Sequence, residues 1–260
     1  MTTFVRCAAF AGVALITSSA FAQQPPGSRK WVDSARVLIE TGVAAGRPEG
    51  LDPAIALLDR VITIVPKDGM LLHYKGYALY RRANLMSQSA KPDELKPFLE
   101  EADRALEESG KLLAWPETFA LRASVLGQMI SVNPGPISAM RFGPRADNAM
   151  ERSLELGPNN PRVYLLRGVG SIFKPALFGG GLDKAERDLR KSIELFNADR
   201  PEPPAPSWGR AEAWAWLGQV HVKQERFEDA RAAYMKALEL EPGNGWVRYV
   251  LLPALDRRKR

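Results

Sequence analysis

Apolar residues along the chain recur at the spacing of one helix face, and the same spacing returns several times. Ala54, Leu58, Val61 and Pro66 are separated by 4, 3 and 5 residues. Residues at such intervals share one side of an α-helix, and the closing proline prevents the helix from continuing. The copies are Ala146, Met150, Ser153, Pro158; Ala230, Tyr234, Ala237, Pro242; and the shorter Ala102, Leu106, Ser109 and Ala185, Leu189, Ser192. Five amphipathic helices are therefore predicted.

A second apolar helical stretch, marked by a glycine, precedes each of these five helices. The glycines are Gly42, Gly76, Gly127, Gly168 and Gly218. Pairs of antiparallel helices thus repeat along the chain, and a single pair cannot bury its apolar face alone. The prediction is an all-α solenoid of about five helix–turn–helix repeats.

The last of these repeats, over residues 211–242, resembles a tetratricopeptide repeat. Trp214, Leu217, Gly218, Ala230, Tyr234, Ala237 and Pro242 occupy the positions of the W-x2-L-G … A-x3-F-x2-A … P pattern. His221 stands where the pattern prefers tyrosine. The resemblance is good over 35–68 and 161–197 and looser over 69–116 and 117–158. It implies a right-handed superhelix whose first helices line a concave inner surface.

Two further segments complete the predicted organisation. Residues 200–210 are rich in proline and are expected to be an extended spacer between repeats 1–4 (residues 35–199) and repeat 5 (residues 211–242). After Pro242, residues 245–256 resume an apolar helical pattern, predicted to be a capping helix kinked at Pro253. A basic tail ends the chain, and residues 23–34 form a lead-in to the first repeat.

Residues 1–22 have the order of a secretory signal peptide. Arg6 is followed by an uncharged run over 8–16 and then by Ala20, Phe21 and Ala22, a small-x-small cleavage site. The alternative, a buried N-terminal helix, conflicts with the prolines that follow directly at 25 and 26. Cleavage after Ala22 and a periplasmic or secreted location are predicted. Cys7, the only cysteine, lies within this segment, so the mature chain is expected to have no disulfide.

The distribution of charge argues against a nucleic-acid partner. The chain has 36 lysines and arginines against 30 aspartates and glutamates, and four of the cations are the last four residues, 257–260. The others are interspersed with acids, so no long basic stripe forms. The basic C-terminus is expected to be solvated or to make peripheral contact with an anionic membrane surface.

Candidate catalytic and metal-binding residues are sparse. His73 and His221 fall in different repeats with no second histidine or cysteine beside them, so no metal site is predicted. The carboxylates between 100 and 108 alternate with cations and favour a solvated helix face over acid–base catalysis. The sequence contains no nucleophile elbow, phosphate loop or dinucleotide fingerprint. The chain is therefore not expected to be an enzyme or to hold a cofactor.

The repeats differ in the length between their glycine and their alanine. That length is 12 residues in repeats 1 and 5 but 26, 19 and 17 in repeats 2, 3 and 4. Long loops are predicted at 87–97, 131–144 and 174–182, with short turns at 46–51 and 224–227. Insertions along one edge of a solenoid often mark a binding face, although loops also tolerate extra length at small entropic cost.

One of these predicted loops contains three consecutive glycines before a helix start. Gly179, Gly180 and Gly181 either offer free N–H groups to an anion or form a structural turn capped by Asp183, and the turn is favoured. The segment 175–180, Pro-Ala-Leu-Phe-Gly-Gly, also resembles loops of exported bacterial repeat proteins, including the T-component of some TRAP transporters.

Two functional hypotheses follow from the sequence. The first is an exported adaptor that binds a protein or peptide in its groove, where the candidate residues are His73, Tyr77, Tyr80, Arg81, Ser124, Gln128, Gln219 and Lys223. The second is a ligand-binding component of a transport system, with a loop site at Phe178, Gly179, Gly180 and Gly181. An adaptor requires an open groove, whereas a small-molecule binder requires an enclosed pocket among 77–81, 131–144 and 174–182. The partner's identity and the oligomeric state stay open.

Overall fold

A computed structural model describes residues 28–87 and 89–258, and this part of the chain consists of helices and their connections without a strand. The predicted signal peptide, its cleavage site and Cys7 lie outside the described residues. The helices are α1 Ser28–Ala45, α2 Asp52–Ile64, α3 Gly69–Met86, α4 Pro92–Leu112, α5 Pro116–Val132, α6 Pro136–Leu156, α7 Pro161–Phe173, α8 Leu182–Phe196, α9 Arg210–Lys223, α10 Phe227–Leu240 and α11 Leu252–Arg258.

The helices pack in consecutive pairs, which confirms the predicted repeats. Helices α1 and α2 form repeat 1, and α3/α4, α5/α6, α7/α8 and α9/α10 form repeats 2 to 5. The first helices of neighbouring repeats also touch one another in order, from α1 against α3 to α7 against α9. We call the surface that α1, α3, α5, α7 and α9 form together the first-helix face.

A buried serine fastens the two helices of repeats 2, 3 and 4. The hydroxyls of Ser109, Ser153 and Ser192 donate to backbone carbonyls at 2.7, 2.8 and 2.8 Å. The accepting residues are the first residues of the three first helices, Gly69, Pro116 and Pro161. Each serine is the seventh residue after its repeat's alanine, so the sequence motif corresponds to a defined contact.

Glycines in the first helices allow the second helices to approach closely. A Cβ added at Gly76 would lie 2.4 Å from the side chain of Leu106, and one at Gly218 would lie 2.3 Å from the ring of Tyr234. In repeat 5 it is Tyr234, four residues after Ala230, that fills the space beside Gly218. Ala230 itself is fully buried in the core that repeat 5 shares with the C-terminal cap.

The glycine assigned to repeat 3 was misplaced by one helical turn. Gly76 and Gly168 are each the seventh residue after the start of their helix, and the equivalent residue of α5 is Ala123, which is buried. A Cβ at Gly127 would meet no atom within 4 Å. In repeat 3, therefore, alanine replaces the glycine of the pattern, and Gly127 does not have the role predicted for it.

Two of the three predicted long loops are wrong. Only residues 87–91 separate α3 from α4, and only 133–135 separate α5 from α6. The extra residues lengthen the helices instead, so that α4 and α6 have 21 residues each against 14 in α10. Both long helices begin at a proline, whose missing N–H costs nothing at a first helical position. The loop at 174–182 and the short turns at 46–51 and 224–227 are confirmed.

The predicted cap is confirmed, with a change of helix type at its centre. Trp246–Leu251 is π-helical and continues directly into α11, whose second residue is Pro253. Val247, Leu251 and Leu255 are buried against repeat 5 and close the end of the core. Arg257 and Arg258 are exposed, and contact of the basic tail with a membrane stays a prediction. No helix within the described residues combines the length and hydropathy needed to cross a bilayer.

Candidate functional site

The proline-rich segment between repeats 4 and 5 lies across the first-helix face. Tyr74 of α3 donates its hydroxyl hydrogen to the carbonyl of Pro204 at 2.5 Å, and Arg29 of α1 donates to the carbonyl of Pro203 at 2.8 Å. Arg36 of α1 donates to the hydroxyl of Ser207 at 3.0 Å. The spacer is non-helical as predicted, but Pro204 and Pro206 are buried, so it is a packed part of the structure. We call residues 203–208 the crossing segment.

Trp208 ends the crossing segment and contacts two repeats at once. Its indole is stacked on the ring of Tyr77, with centroids 5.0 Å apart and planes at 14°. The guanidinium of Arg162, from the start of α7, lies 5.9 Å from the indole and forms a two-pronged ion pair with Asp199 at 2.8 and 3.3 Å. The crossing segment is therefore fixed at its end by the contacts of Trp208, and the residues before it are fixed by the ion pair of Asp199 with Arg162.

A half-buried ion pair fixes the chain just after the crossing segment. Arg81 of α3 pairs with Glu212 in the first turn of α9. Burial alone lowers the pKa of Arg81, but the carboxylate of Glu212 outweighs it and raises the pKa above its ordinary value. Arg81 was predicted to contact a partner, and the structure gives it an internal partner instead.

Three of the predicted groove residues are buried, which corrects the expectation that they line an open surface. His73 is fully buried, its Nδ1 lies 2.8 Å from the hydroxyl of Thr118, and Trp115 meets it edge-on. Burial lowers the pKa of His73 to about 3, so the imidazole is neutral. Tyr77 and Tyr80 are buried as well, and burial raises the pKa of both phenols. These side chains pack between repeats because the first helices of adjacent repeats are in direct contact.

The predicted residues of repeat 3 are half-buried and bond within the protein. The Ser124 hydroxyl donates to the carbonyl of Ala120 at 3.1 Å, one turn back in α5. The Gln128 amide donates to Asn84 of α3 at 2.7 Å. Both contacts are structural.

The first-helix face is open at repeats 4 and 5. Lys223 is exposed and follows Trp216 by seven residues, so the two share one side of α9. The ring of Trp216 lies 6.1 Å from that of Phe173, which is 62% exposed, and 5.0 Å from that of Trp246. Gln219, also predicted, lies between Trp216 and Lys223 and donates to the hydroxyl of Tyr234 at 2.5 Å. We call the surface of Phe173, Trp216 and Lys223 the open end.

The glycine loop is a structural turn. The N–H groups of Gly179, Gly180 and Gly181 donate to the carbonyls of Ala176, Pro175 and Ser171 at 2.9, 3.1 and 2.8 Å, which leaves none of the three for an anion.

The conformation of the loop explains its glycines. Gly179 and Gly181 have φ of 79° and 106°, a region that favours glycine. A Cβ at Gly180 would collide with the carbonyl of Lys174. Gly181 occupies the N-cap position of α8, so the expectation that Asp183 caps this helix is wrong. The loop exposes Leu177 and Phe178, which are 88% and 65% accessible.

A shallow cleft of about 250 Å³ lies along α8 rather than among the segments expected to enclose a small ligand. It is lined by Asp183, Glu186, Arg187 and Arg190. Burial raises the pKa of Glu186, but hydrogen bonds from Arg190, Gln224 and Arg226 outweigh it and lower the pKa to about 2. These contacts join repeat 4 to the turn of repeat 5. No group of three or more potential metal ligands occurs in the described part of the chain.

Helix pairs stacked in chain order define the class of α-solenoid repeat proteins. Residues 211–244 match the tetratricopeptide repeat (TPR) family model, so repeat 5 is a TPR. This match confirms the tetratricopeptide repeat predicted over residues 211–242.

Solved structures of similar fold include two that span most of the chain. The HusA haemophore from Porphyromonas gingivalis has 26% identity and a TM-score of 0.59, covering 73% of this chain and 93% of that protein. A thermophilic TPR protein from Thermus thermophilus has 18% identity and a TM-score of 0.59, covering 85% of this chain and 98% of that protein. No curated protein sequence matches the chain.

Proposed function

We propose that the chain is an exported TPR scaffold that binds an extended segment of a partner protein at the open end. Solenoids of this class present their inner face to other proteins, and the fold supports an interaction role. Export rests on the order of charged, apolar and small residues in positions 1–22.

The observation that carries the proposal is the division of the first-helix face into a covered and an uncovered part. The crossing segment covers α1 and α3, whereas Phe173 and Lys223 stay exposed on α7 and α9. An exposed aromatic ring on the same face as an exposed cation favours a ligand with an apolar side chain and a carboxylate. The expected partner is therefore an extended segment that places an acidic residue opposite Lys223.

Site-specific photocrosslinking in the native cells tests this surface. A photoreactive phenylalanine replaces Phe173 in one variant and Lys236, an exposed residue of α10, in a control, and both variants keep Lys223. We expect one discrete adduct from position 173, absent from position 236 and reduced when Lys223→Ala is added. Equal adducts at both positions, or none at 173, would contradict the proposal.

Capture of haem is a second candidate, since the structure with 26% identity is that of a haemophore. Haem capture is favoured by the surface that α6 and the glycine loop form together. Met140 of α6 is 78% exposed and shares a helix side with Asp147, which pairs with Lys174 of the glycine loop at 2.5 Å. That loop presents Leu177 and Phe178. Apolar side chains with a cation nearby suit a flat macrocycle bearing carboxylates, and a methionine thioether is a known haem-iron ligand.

Absorption titration of the purified protein with haem separates this candidate from a protein scaffold. Haem capture predicts a saturable spectral change, weakened at least tenfold by Phe178→Ala and altered in band position by Met140→Leu. A titration that shows no saturation would exclude the candidate and leave the scaffold proposal untouched.

A further inference from the structure

We infer that the first-helix face of repeats 1 and 2 is a second peptide site, which recognises a proline-rich segment ending in tryptophan. Residues 203–208 of the chain itself occupy this site. This inference concerns a different part of the face from the open end. It does not depend on haem binding or on export.

The length of the connection shows that the crossing segment is not needed to join its neighbouring helices. The other connections between repeats are residues 65–68, 113–115 and 157–160, three or four residues each. The connection between α8 and α9 is residues 197–209, thirteen residues, although α8 and α9 pack against each other as neighbouring repeats do. The additional residues are those that cross the face.

The hydrogen bonds of the site match the chemistry of proline. A proline has no N–H and offers only its carbonyl, so a surface that recognises a proline-rich segment must supply donors. Arg29 and Tyr74 supply them to the carbonyls of Pro203 and Pro204 at 2.8 and 2.5 Å. Each proline also fixes its own φ angle, which reduces the entropy that the free segment loses on binding.

The aromatic end of the segment fits between two repeats. Trp208 is stacked on Tyr77 at 5.0 Å and packs against both the core of repeats 1 to 3 and the core of repeats 4 and 5. Trp208 is partly buried in this position, and aromatic anchors packed at an interface contribute much of its affinity. The ligand class is therefore a segment with the order Pro-Pro-x-Pro-x-Trp, presented by a partner protein when the chain's own copy is displaced.

The site can be exposed by replacing residues 203–208 with glycine and serine. The replacement keeps the length of the connection between α8 and α9. The probe is a labelled peptide of residues 200–209, followed by fluorescence anisotropy. We expect saturable binding at least tenfold tighter than to the unaltered chain. A peptide with alanine at the tryptophan position should bind at least tenfold more weakly, and Tyr74→Phe in the protein should weaken binding about fivefold, as loss of one hydrogen bond does. Lys236→Ala should bind normally.

Circular dichroism and thermal melting establish that the replaced chain is folded before the titration. If it is not folded, the single variant Trp208→Ala in the otherwise unaltered chain is titrated with the same peptide. A folded variant that fails to bind the peptide, or that binds a scrambled peptide equally well, overturns the inference. Dimers of the unaltered chain that the free peptide dissociates would support the site and identify a second copy as its occupant. Because the titration uses purified protein and does not involve Lys223, its failure is distinguishable from failure of the scaffold proposal.

Discussion

Gly218 and Gly127 have the same predicted role but different surroundings. Substitution by alanine is therefore expected to change the free energy of unfolding in opposite directions at the two positions. Gly218→Ala places a methyl group 2.3 Å from the ring of Tyr234, and this overpacking should lower the free energy of unfolding by about 1–3 kcal/mol. Gly127→Ala meets open space within a helix and should raise it by about 0.5–1 kcal/mol. Urea unfolding of both variants measures the difference. Equal effects would contradict the close helix approach at Gly218.

The buried imidazole of His73 predicts a loss of stability in acid. Its pKa is about 3 in the folded protein against an ordinary 6.5, so between these values the unfolded chain binds more protons. Stability is therefore complete above pH 6.5 and falls as the pH falls towards 3, by about 2 kcal/mol from pH 7 to pH 5.

The variant His73→Gln removes this titration and isolates it from other groups. Chemical unfolding at pH 7 and pH 5 should show a smaller pH effect in the variant than in the unaltered protein, by the same 2 kcal/mol or so. An identical pH effect in both would mean that His73 is accessible to protons in the folded state.

Each second helix of repeats 2 to 4 is tied to its first helix by one side chain. Ser192→Ala removes the hydrogen bond to the carbonyl of Pro161 and should lower the free energy of unfolding by about 1 kcal/mol. Ser131→Ala is the control, because Ser131 is exposed and bonds only within its own helix. Urea denaturation compares the two, and a Ser192 variant as stable as its control would refute the fastening role.

The existence and pairing of the helices were predictable because their patterns are local. An alanine, an apolar residue and a serine spaced four and three residues apart identify one face of the second helix in repeats 2 to 4. The serine, Ser109 in repeat 2, donates a hydrogen bond to the first helix in each of these repeats. Helix lengths were less predictable. A proline such as Pro136 is compatible with either a loop or a helix start, and only the fold shows that α6 begins there.

The cellular location is a property of the whole molecule and stays a prediction. Cleavage after Ala22 predicts a mature chain that begins at Gln23. Mass spectrometry of the N-terminus, on protein purified from fractionated native cells, checks it. Intact Met1 or Thr2 on protein from the cytoplasmic fraction would contradict export.

The proline-rich sequence of residues 200–210 predicted a spacer but not its packing across the first-helix face. Arg29, Arg36, Tyr74 and Trp208 were not singled out, and they are the residues that hold the segment or belong to it. The signal for this packing was a connection of thirteen residues with several prolines and a tryptophan, in a chain whose other repeats are joined by three or four.

The sequence by itself determined the TPR motif of repeat 5 and the five helix pairs, because helical periodicity depends on neighbours three and four residues away. Tertiary structure alone decided which side chains of the first helices are accessible. Tyr77 is covered by Trp208, which lies 131 residues further along the chain, and no local pattern encodes a contact over that distance. The candidate groove of repeats 1 and 2 is consequently filled, and the accessible part of the face lies at repeats 4 and 5.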